Sequence, residues 1–328
     1  MENLCEIDYI NKKMAKELDK IYSVVSNVFK NDVSSGESLC PCMPSLKGRL
    51  AIDTTPKYWS DIRKEDFSIH LKNGHFWQTQ CRARQHLAII IPFRDRESHL
   101  KIFLNHIHPI LQRQLHNYGI YVVEQANNDE FNRGALINIG YLEAIKDHSD
   151  YSCVIFHDVD MLPEDDRNLY NCLDHPKHLT VLINKSNYRL YYRTYFGGAG
   201  AIKSDVFEEI NGMSNSFYGW GGEDDDLYNR LKSHGYKILR SSKVSRYTML
   251  NHTEADAAPS RFNLLRMGTR RSKYDGLNSL RYKLLSTKRD KLYTKFRVTF
   301  KKSNIRRTIR YKRKSQKKNK PQKAKTFK

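Results

Sequence analysis

At 328 residues the chain can bury a substantial core, and 39% apolar with 11% aromatic content excludes a disordered protein. The formal net charge is +21, yet residues 301–328 hold 14 Lys or Arg and no acid, leaving +7 for the rest. No apolar run approaches the roughly 18 residues of a membrane span, and the N-terminus has neither the cationic start nor the apolar stretch of a signal peptide, so a literal reading gives a soluble, cytosolic chain.

In chain order, residues 1 to about 35 read as one charged amphipathic helix, and residues 36–85 as a turn-rich preamble or stem. A regular pattern then starts. "HLAIIIPF" is a near-continuous apolar run that suits a fully buried parallel strand. "SHLKIFLNHIHPILQRQLHNYG" has helical spacing, "IYVVEQ" reads as strand, "NRGALINIGYLEAIKDHS" as helix, and "YSCVIFHD" and "HLTVLIN" as strands. Strand and helix alternating about every 30 residues predict βαβ units around a mostly parallel sheet. Three parts are expected: a stem-like helical segment at 1–39, a main domain at 40–299, and a basic disordered tail at 300–328. The tail reads as a solvated segment, or as a contact for a polyanion such as an acidic glycan, a membrane surface or nucleic acid. Its only aromatics are Tyr311 and Phe327, so base stacking is poorly supported and no specific nucleic-acid partner is expected.

Two acidic clusters carry the chemistry. In "FHDVDMLPEDDRNLY", Asp158 and Asp160 follow the carboxyl end of a strand, the edge at which open α/β sheets bind ligands. Carboxylates gathered there repel unless a cation lies between them, and an Asp-x-Asp suits Mn²⁺ or Mg²⁺ carried by a nucleotide diphosphate. Glu164, Asp165 and Asp166 in "PEDD" read instead as the first turn of a helix. In "YGWGGEDDDLYNRL", four acids from Glu223 to Asp226 open an amphipathic helix after a glycine-rich stretch holding Trp220. That tryptophan is either a lid over a sugar or nucleotide, or a buried turn residue. The six cysteines (Cys5, Cys40, Cys42, Cys81, Cys153, Cys172) form no paired zinc pattern, and composition alone leaves free thiols and disulfides both open.

Taken together, "IIIPFRDRESHL", "YGIYVVEQ", "FNRGALINIGYLEA", "FHDVDMLPEDDRNLY", "YFGGAGAI", "GWGGEDDDLYNRL" and "DGLNSLRY" resemble the β-1,4-galactosyltransferase family, inverting enzymes of the GT-A fold. The runs occur in the family's order over about two thirds of the chain. The resemblance implies an α/β, Rossmann-like sheet flanked by helices. It implies Mn²⁺ held by Asp160, Met249 and His252, and a donor pocket made by Phe93, Arg94, Arg96, Phe131, Arg133, Asp158, Val159, Tyr195 and Gly198. Trp220 matches the closing lid, Glu223 and Asp224 the catalytic acids facing the acceptor, and Asp224 the general base. Gly221 with Arg261, Phe262 and Leu265 matches the acceptor pocket. The implied reaction moves galactose from UDP-galactose to the 4-hydroxyl of a terminal N-acetylglucosamine on glycoprotein or glycolipid glycans. Tyr195 stands where relatives that transfer N-acetylgalactosamine carry a smaller aliphatic residue, which favours galactose.

The resemblance also implies disulfides Cys40–Cys81, with Cys42 the rival partner, and Cys153–Cys172, hence an oxidising lumen. It implies the Golgi lumen of type II membrane relatives. No anchor is visible in this chain, which leaves a truncated gene model, a splice form without the anchor, or another route into the Golgi. Two departures concern the site: Tyr218 replaces a second Trp common in the family, and the stretch between His252 and Arg261 is shorter than in vertebrate members. The rival readings are an N-acetylgalactosaminyltransferase with the same site, and a non-catalytic sugar- or polyanion-binding relative. The xylose-directed member of the family carries Arg where Gly222 stands here.

Overall fold

The computed structural model describes residues 38–302 apart from Ser242 and Glu254. The helix expected over residues 1–35 and the basic tail beyond residue 302 lie outside the described residues. In chain order the elements are α1 (Trp59–Ile62), β1 (His75–Phe76), β2 (His86–Phe93), α2 (Glu97–Arg113), β3 (Asn117–Gln125), α3 (Arg133–Asp147), β4 (Cys153–His157), β5 (Met161–Pro163), β6 (Lys177–His178), β7 (Leu182–Ile183) and β8 (Ala199–Lys203). They continue with α4 (Ser204–Glu209), α5 (Glu223–Ser233), β9 (Leu239–Arg240), β10 (Arg246–Met249), α6 (Arg261–Arg266), α7 (Gly268–Arg271), β11 (Lys283–Arg289) and β12 (Thr294–Thr299).

β2 explains the layering. All eight of its residues are buried, so the strand needs cover on both faces. Leu87, Ile89 and Ile91 pack into one core with Leu100, Phe103, Leu104 and Ile107 of α2. Ala88 and Ile90 pack into the other core with Leu136, Ile137 and Ile139 of α3. β3 and β4 run parallel to β2 on either side, and β12 runs parallel to β3. The sheet closes with antiparallel β11 at one edge and continues through antiparallel β8 and β6 to β9 at the other. β11 is exposed along all seven residues. A second, three-stranded sheet joins β5, β10 and β7.

Two sequence expectations are corrected. "HLTVLIN" is not one strand but two pieces in different sheets, β6 and β7. The break falls at Thr180, whose hydroxyl donates to the Gly197 carbonyl at 2.8 Å and accepts from the Ala199 amide at 2.9 Å, taking the place of a regular ladder. "PEDD" does not begin a helix. Glu164 accepts from Arg246 and Thr248 at 3.2 and 2.9 Å, Asp165 binds Arg167, and Asp166 accepts the Lys47 and Gly48 amides at 3.0 and 2.7 Å and the Arg113 guanidinium at 2.8 Å. These acids pin the preamble to α2 and β10, so they are structural, though not as helix starters.

Cys40–Cys81 and Cys153–Cys172 are disulfides, 41 and 19 residues apart, and Cys42 is disulfide-bonded as well, so it is not the partner of Cys81. Asn132 caps α3, its side chain accepting the Ala135 amide at 2.9 Å. Farther along α3, Gly140 lets the helix lie directly on the sheet, since a Cβ there would meet the Ile90 methyl and stand 2.8 Å from that of Val123. Gly140→Ala is therefore expected to destabilise by about 1–3 kcal/mol, as overpacking of a tight core does. Urea unfolding checks this: a lowered midpoint with an unchanged slope is expected.

Candidate active site at the carboxyl edge of the sheet

Chain leaving β4 turns at Asp158, whose amide donates to the Gly198 carbonyl at 3.0 Å. Gly198 has φ +72°, and a Cβ there would run into Thr180, so both its conformation and its position require glycine. Arg133, first residue of α3, reaches across this corner. Its Nε donates to Asp158 Oδ1 at 2.6 Å, one terminal nitrogen donates to the Gly198 carbonyl at 3.1 Å, and the other lies 3.6 Å from Glu223 Oε1. The guanidinium also sits 5.3 Å from the centre of the Phe156 ring. Burial pushes the Asp158 carboxyl up to about 6 although Arg133 opposes it.

Asp160 and His252 meet two residues farther on, Oδ2 to Nε2 at 2.9 Å. β10 makes this meeting. It runs antiparallel to β5, setting Met249 opposite Met161, and the Leu250 amide donates to the Asp160 carbonyl at 2.8 Å. Met249 is partly buried against the core, and its amide donates to Asn184 Oδ1 at 2.9 Å. The hydrogen bond that His252 donates to the Asp160 carboxylate raises the pKa of His252 above its ordinary value. His99 from the first turn of α2 joins them, 6.4 Å from His252 between ring centres, with its Nδ1 buried and unpartnered.

The N-terminus of α5 closes the other side. Gly219, Gly221 and Gly222 all have φ between +80° and +99°, and between them Trp220 is 60% exposed, which excludes the buried-turn reading. The Trp220 carbonyl accepts from the Ala258 amide at 3.0 Å. The Arg261 guanidinium lies 5.7 Å from the Trp220 ring centre and 4.7 Å from that of Phe262, which is exposed, while Leu265 is half-buried on the same short helix. Asp224 is buried, and burial raises its pKa. Burial, then the neighbouring Asp224, pushes Glu223 up to about 7. Asp225 accepts from the Tyr192 hydroxyl at 3.3 Å. Tyr195 packs against His178, Tyr191 and Tyr192 with ring centres 5.2–5.5 Å apart, and burial together with the charges of Asp224 and Asp158 keeps its hydroxyl protonated.

Asp226 serves a different purpose. It binds Arg230 at 2.8 Å and Arg271 at 3.0 Å, and Arg271 binds Asp275 at 2.7 Å. Asp275 in turn accepts the Asn215 amide at 2.9 Å and the Ser214 hydroxyl. This buried lattice bolts α5 to α7 and to the loop before Trp220. Sequence reasoning gave no role to Arg271, Asp275, Tyr192 or His99. Asp275, the first residue of "DGLNSLRY", and His99, inside "IIIPFRDRESHL", were the two that carried a signal.

Farther along the edge, Arg94 stacks 5.3 Å from the Phe131 ring centre and donates to the Asp129 carbonyl at 2.7 Å. Phe93 is buried at the end of β2, Val159 is buried between the two acids, and Arg96 immediately precedes α2, close enough to act electrostatically on His99 and His252. The expected residues therefore gather along one edge, Phe93 to Arg96 and Asp158 to Asp160 at strand ends, and Trp220 to Asp224 with Arg261 to Leu265 across from them.

Comparison with known proteins bears on the family and the fold. Residues 40–173 match the family described as the N-terminal region of glycosyl transferase group 7, and residues 177–253 that described as the N-terminal domain of galactosyltransferase. The chain is 44% identical over 271 residues to β-1,4-galactosyltransferase 4 of Cricetulus griseus, covering 80% of this chain and 77% of that protein. It is 42% identical over 260 residues to β-1,4-galactosyltransferase 2 of Homo sapiens, covering 78% and 70%. Among solved structures, the catalytic domain of Drosophila β-1,4-galactosyltransferase 7 with xylobiose superposes with a TM-score of 0.60 at 28% identity, covering 69% of this chain and 98% of that one. A mutant of that enzyme, solved with manganese, UDP-Gal and xylobiose, gives the same TM-score at 27% identity. The mixed sheet is that of a GT-A glycosyltransferase, and the chain belongs to the β-1,4-galactosyltransferase family.

Proposed function

We propose that the protein transfers galactose from UDP-galactose, with inversion and Mn²⁺ dependence, to the 4-hydroxyl of a terminal N-acetylglucosamine, with Asp224 as general base. The observation that carries this reading is the acid pair at the start of α5, Asp224 buried and Glu223 half-buried, tied through Arg133 to Asp158 at the strand edge. A base must be desolvated yet able to ionise. Asp224 is buried, with the Arg133 cation and the amides of its own helix N-terminus favouring its ionised form. It takes the acceptor hydroxyl proton as that oxygen attacks the anomeric carbon from the face opposite the departing UDP, in a single displacement through an oxocarbenium-like state. Glu223 and Gly221 help seat the acceptor, with Arg261, Phe262 and Leu265 as the pocket for its N-acetyl group. Trp220 closes over both sugars and keeps water from the donor.

The metal donors fit a divalent cation. Asp160 and His252 already stand 2.9 Å apart, the spacing of neighbouring ligands around one ion, and Met249 sits on the strand that sets this pair. A thioether is an uncommon partner for Mn²⁺, so carboxylate and imidazole supply most of the affinity. When bound, the cation neutralises the diphosphate and stabilises charge on the leaving UDP. Phe93, Arg94, Arg96, Phe131, Arg133, Asp158, Val159 and Gly198 line the nucleotide side. An oxidising compartment follows from the disulfides, and the Golgi lumen is the compartment proposed. Among the described residues no helix is long and apolar enough to cross a membrane. The polyanion contact proposed for the tail falls outside the described residues.

The deciding experiment offers the chain UDP-galactose, UDP-N-acetylgalactosamine and UDP-glucose with an N-acetylglucosamine-terminated acceptor, with Mn²⁺ or with a chelator, and reads product by mass. Galactose transfer lost on chelation and restored by Mn²⁺ is expected. Asp224→Asn should lower kcat by about 10²–10⁴-fold while UDP binding persists. Transfer of N-acetylgalactosamine in its place would overturn the donor assignment, and UDP binding without any transfer would favour the non-catalytic relative.

Tyr195 gives a sharper test of the donor. Its ring crowds the region of the donor's C2 substituent, so Tyr195→Leu should raise N-acetylgalactosamine transfer relative to galactose by about 10-fold or more. An unchanged ratio places donor selection elsewhere.

Burial raises the pKa of both Glu223 and Asp224, so the base is ionised only above the ordinary carboxylate range, and activity is lost as pH falls through that raised value. The profile of kcat/KM should show an acid limb well above pH 4. A limb at or below pH 4 would count against Asp224 as base.

A further inference from the structure

A second cluster of ligand-type side chains stands at the opposite end of the sheet. α3 starts at Arg133 in the active site and ends at Asp147, about 21 Å away at 1.5 Å per residue. There His75 of β1, Asp147 and His148 can each bring one ligand atom within 4.8 Å of the other two. His75 is buried, with Nε2 2.9 Å from the Tyr121 hydroxyl, 3.1 Å from that of Tyr151 and 3.6 Å from Asp147 Oδ2. The His148 ring centre is 4.6 Å from that of His75. Gly119, paired with His75 across the ladder, admits this imidazole, because a Cβ there would stand 2.8 Å from its ring.

His86 supplies an independent observation. It is 6% exposed, its Nδ1 is 3.0 Å from Asp150 Oδ2, and its buried Nε2 has no hydrogen-bond partner. A carboxylate on Nδ1 fixes the tautomer that leaves a lone pair on Nε2, the arrangement found behind metal-ligating imidazoles. The His86 ring centre lies 6.0 Å from that of His148 and 4.1 Å from that of Tyr151. A buried acceptor with no donor costs stability unless something fills it.

We propose that His75, Asp147 and His148 bind a divalent transition ion that prefers imidazole nitrogen, Zn²⁺ rather than a hard ion, and that His86, which stands outside their present spacing, moves in as fourth donor when the ion binds. His75 Nε2 presents its lone pair to the ion once the Tyr121 and Tyr151 hydroxyls, now at 2.9 and 3.1 Å, turn away. Arg289 holds Asp147 Oδ1 at 2.7 Å and leaves Oδ2 to face the ion, the Tyr121 hydroxyl now at 3.1 Å from Oδ2 re-aiming as a supporting donor. Half-buried His148 has the freedom to close the ligand spacing. The ion clips β1, the end of α3 and the start of β2 together, apart from the transfer chemistry.

Co²⁺, whose visible absorption reports four-coordinate geometry, is the probe. The full chain is freed of metal with a chelator and titrated as wild type, Asp160→Ala and His148→Ala. Tetrahedral bands are expected in the wild type and in Asp160→Ala, displaced by one equivalent of Zn²⁺. In His148→Ala the affinity should fall by at least about tenfold. His148→Gln, which keeps size and polarity, should lose the bands in the same way, and both variants should keep galactose transfer, which shows them folded. Absence of tetrahedral bands in the wild type, their loss in Asp160→Ala, or undiminished binding in the two His148 variants would overturn the proposal.

Discussion

Three carboxylates, Asp158, Glu223 and Asp224, converge on the guanidinium of Arg133, and the active-site edge depends on that convergence. Arg133 is at the N-terminus of α3, where the helix dipole disfavours a cation by roughly 0.3–1 kcal/mol. The acids offset this cost. In return the guanidinium offsets the repulsion among carboxylates that burial would otherwise drive to protonate. A planar fork is needed, because its nitrogens address an aspartate from β4, a carbonyl before β8 and a glutamate from α5 at once. Lysine offers one point charge and cannot span these three elements.

The four consecutive acids of α5 divide into separate tasks by helical geometry. Successive side chains point about 100° apart, so Glu223 and Asp224 face the strand edge, Asp225 meets Tyr192, and Asp226 turns into the lattice of Arg230, Arg271 and Asp275. A fixed helix thus adjoins a glycine-rich segment with exposed Trp220. Glu223 and Asp224 gain their placement from below, and the exposed aromatic stands on the glycine-rich segment above them.

Legibility followed sequence distance. β2, β3 and β4 were readable because strands buried on both faces must be apolar throughout, and α2 and α3 because their apolar residues repeat with helical spacing. "PEDD" misled because the local signal for a helix start was overruled by partners more than 50 residues away, namely Lys47, Gly48, Arg113 and Arg246. "HLTVLIN" misled because one hydroxyl, that of Thr180, redirected the chain between sheets. At the site, Asp158, Asp160 and the start of α5 could be found from charge and position alone. Met249 and Tyr195 came only through resemblance, because a methionine or tyrosine in a strand or loop looks like core. Arg271 and Asp275 could not be found from residue type, since their meaning lies in a contact with Asp226 that only the fold creates.

Among the described residues β11 ends the large sheet, with seven exposed residues and no strand beyond it. An edge of that length presents unpaired amides and carbonyls that could template a further strand from another molecule. Lys283, Lys288 and Arg289 line this strand. A like-charged copy laid against it would bring rows of cations into register, at a cost that grows with each residue paired. The basic residues of β11, apart from those of the tail, thus guard the sheet against edge-to-edge aggregation, a role that asks for no ligand.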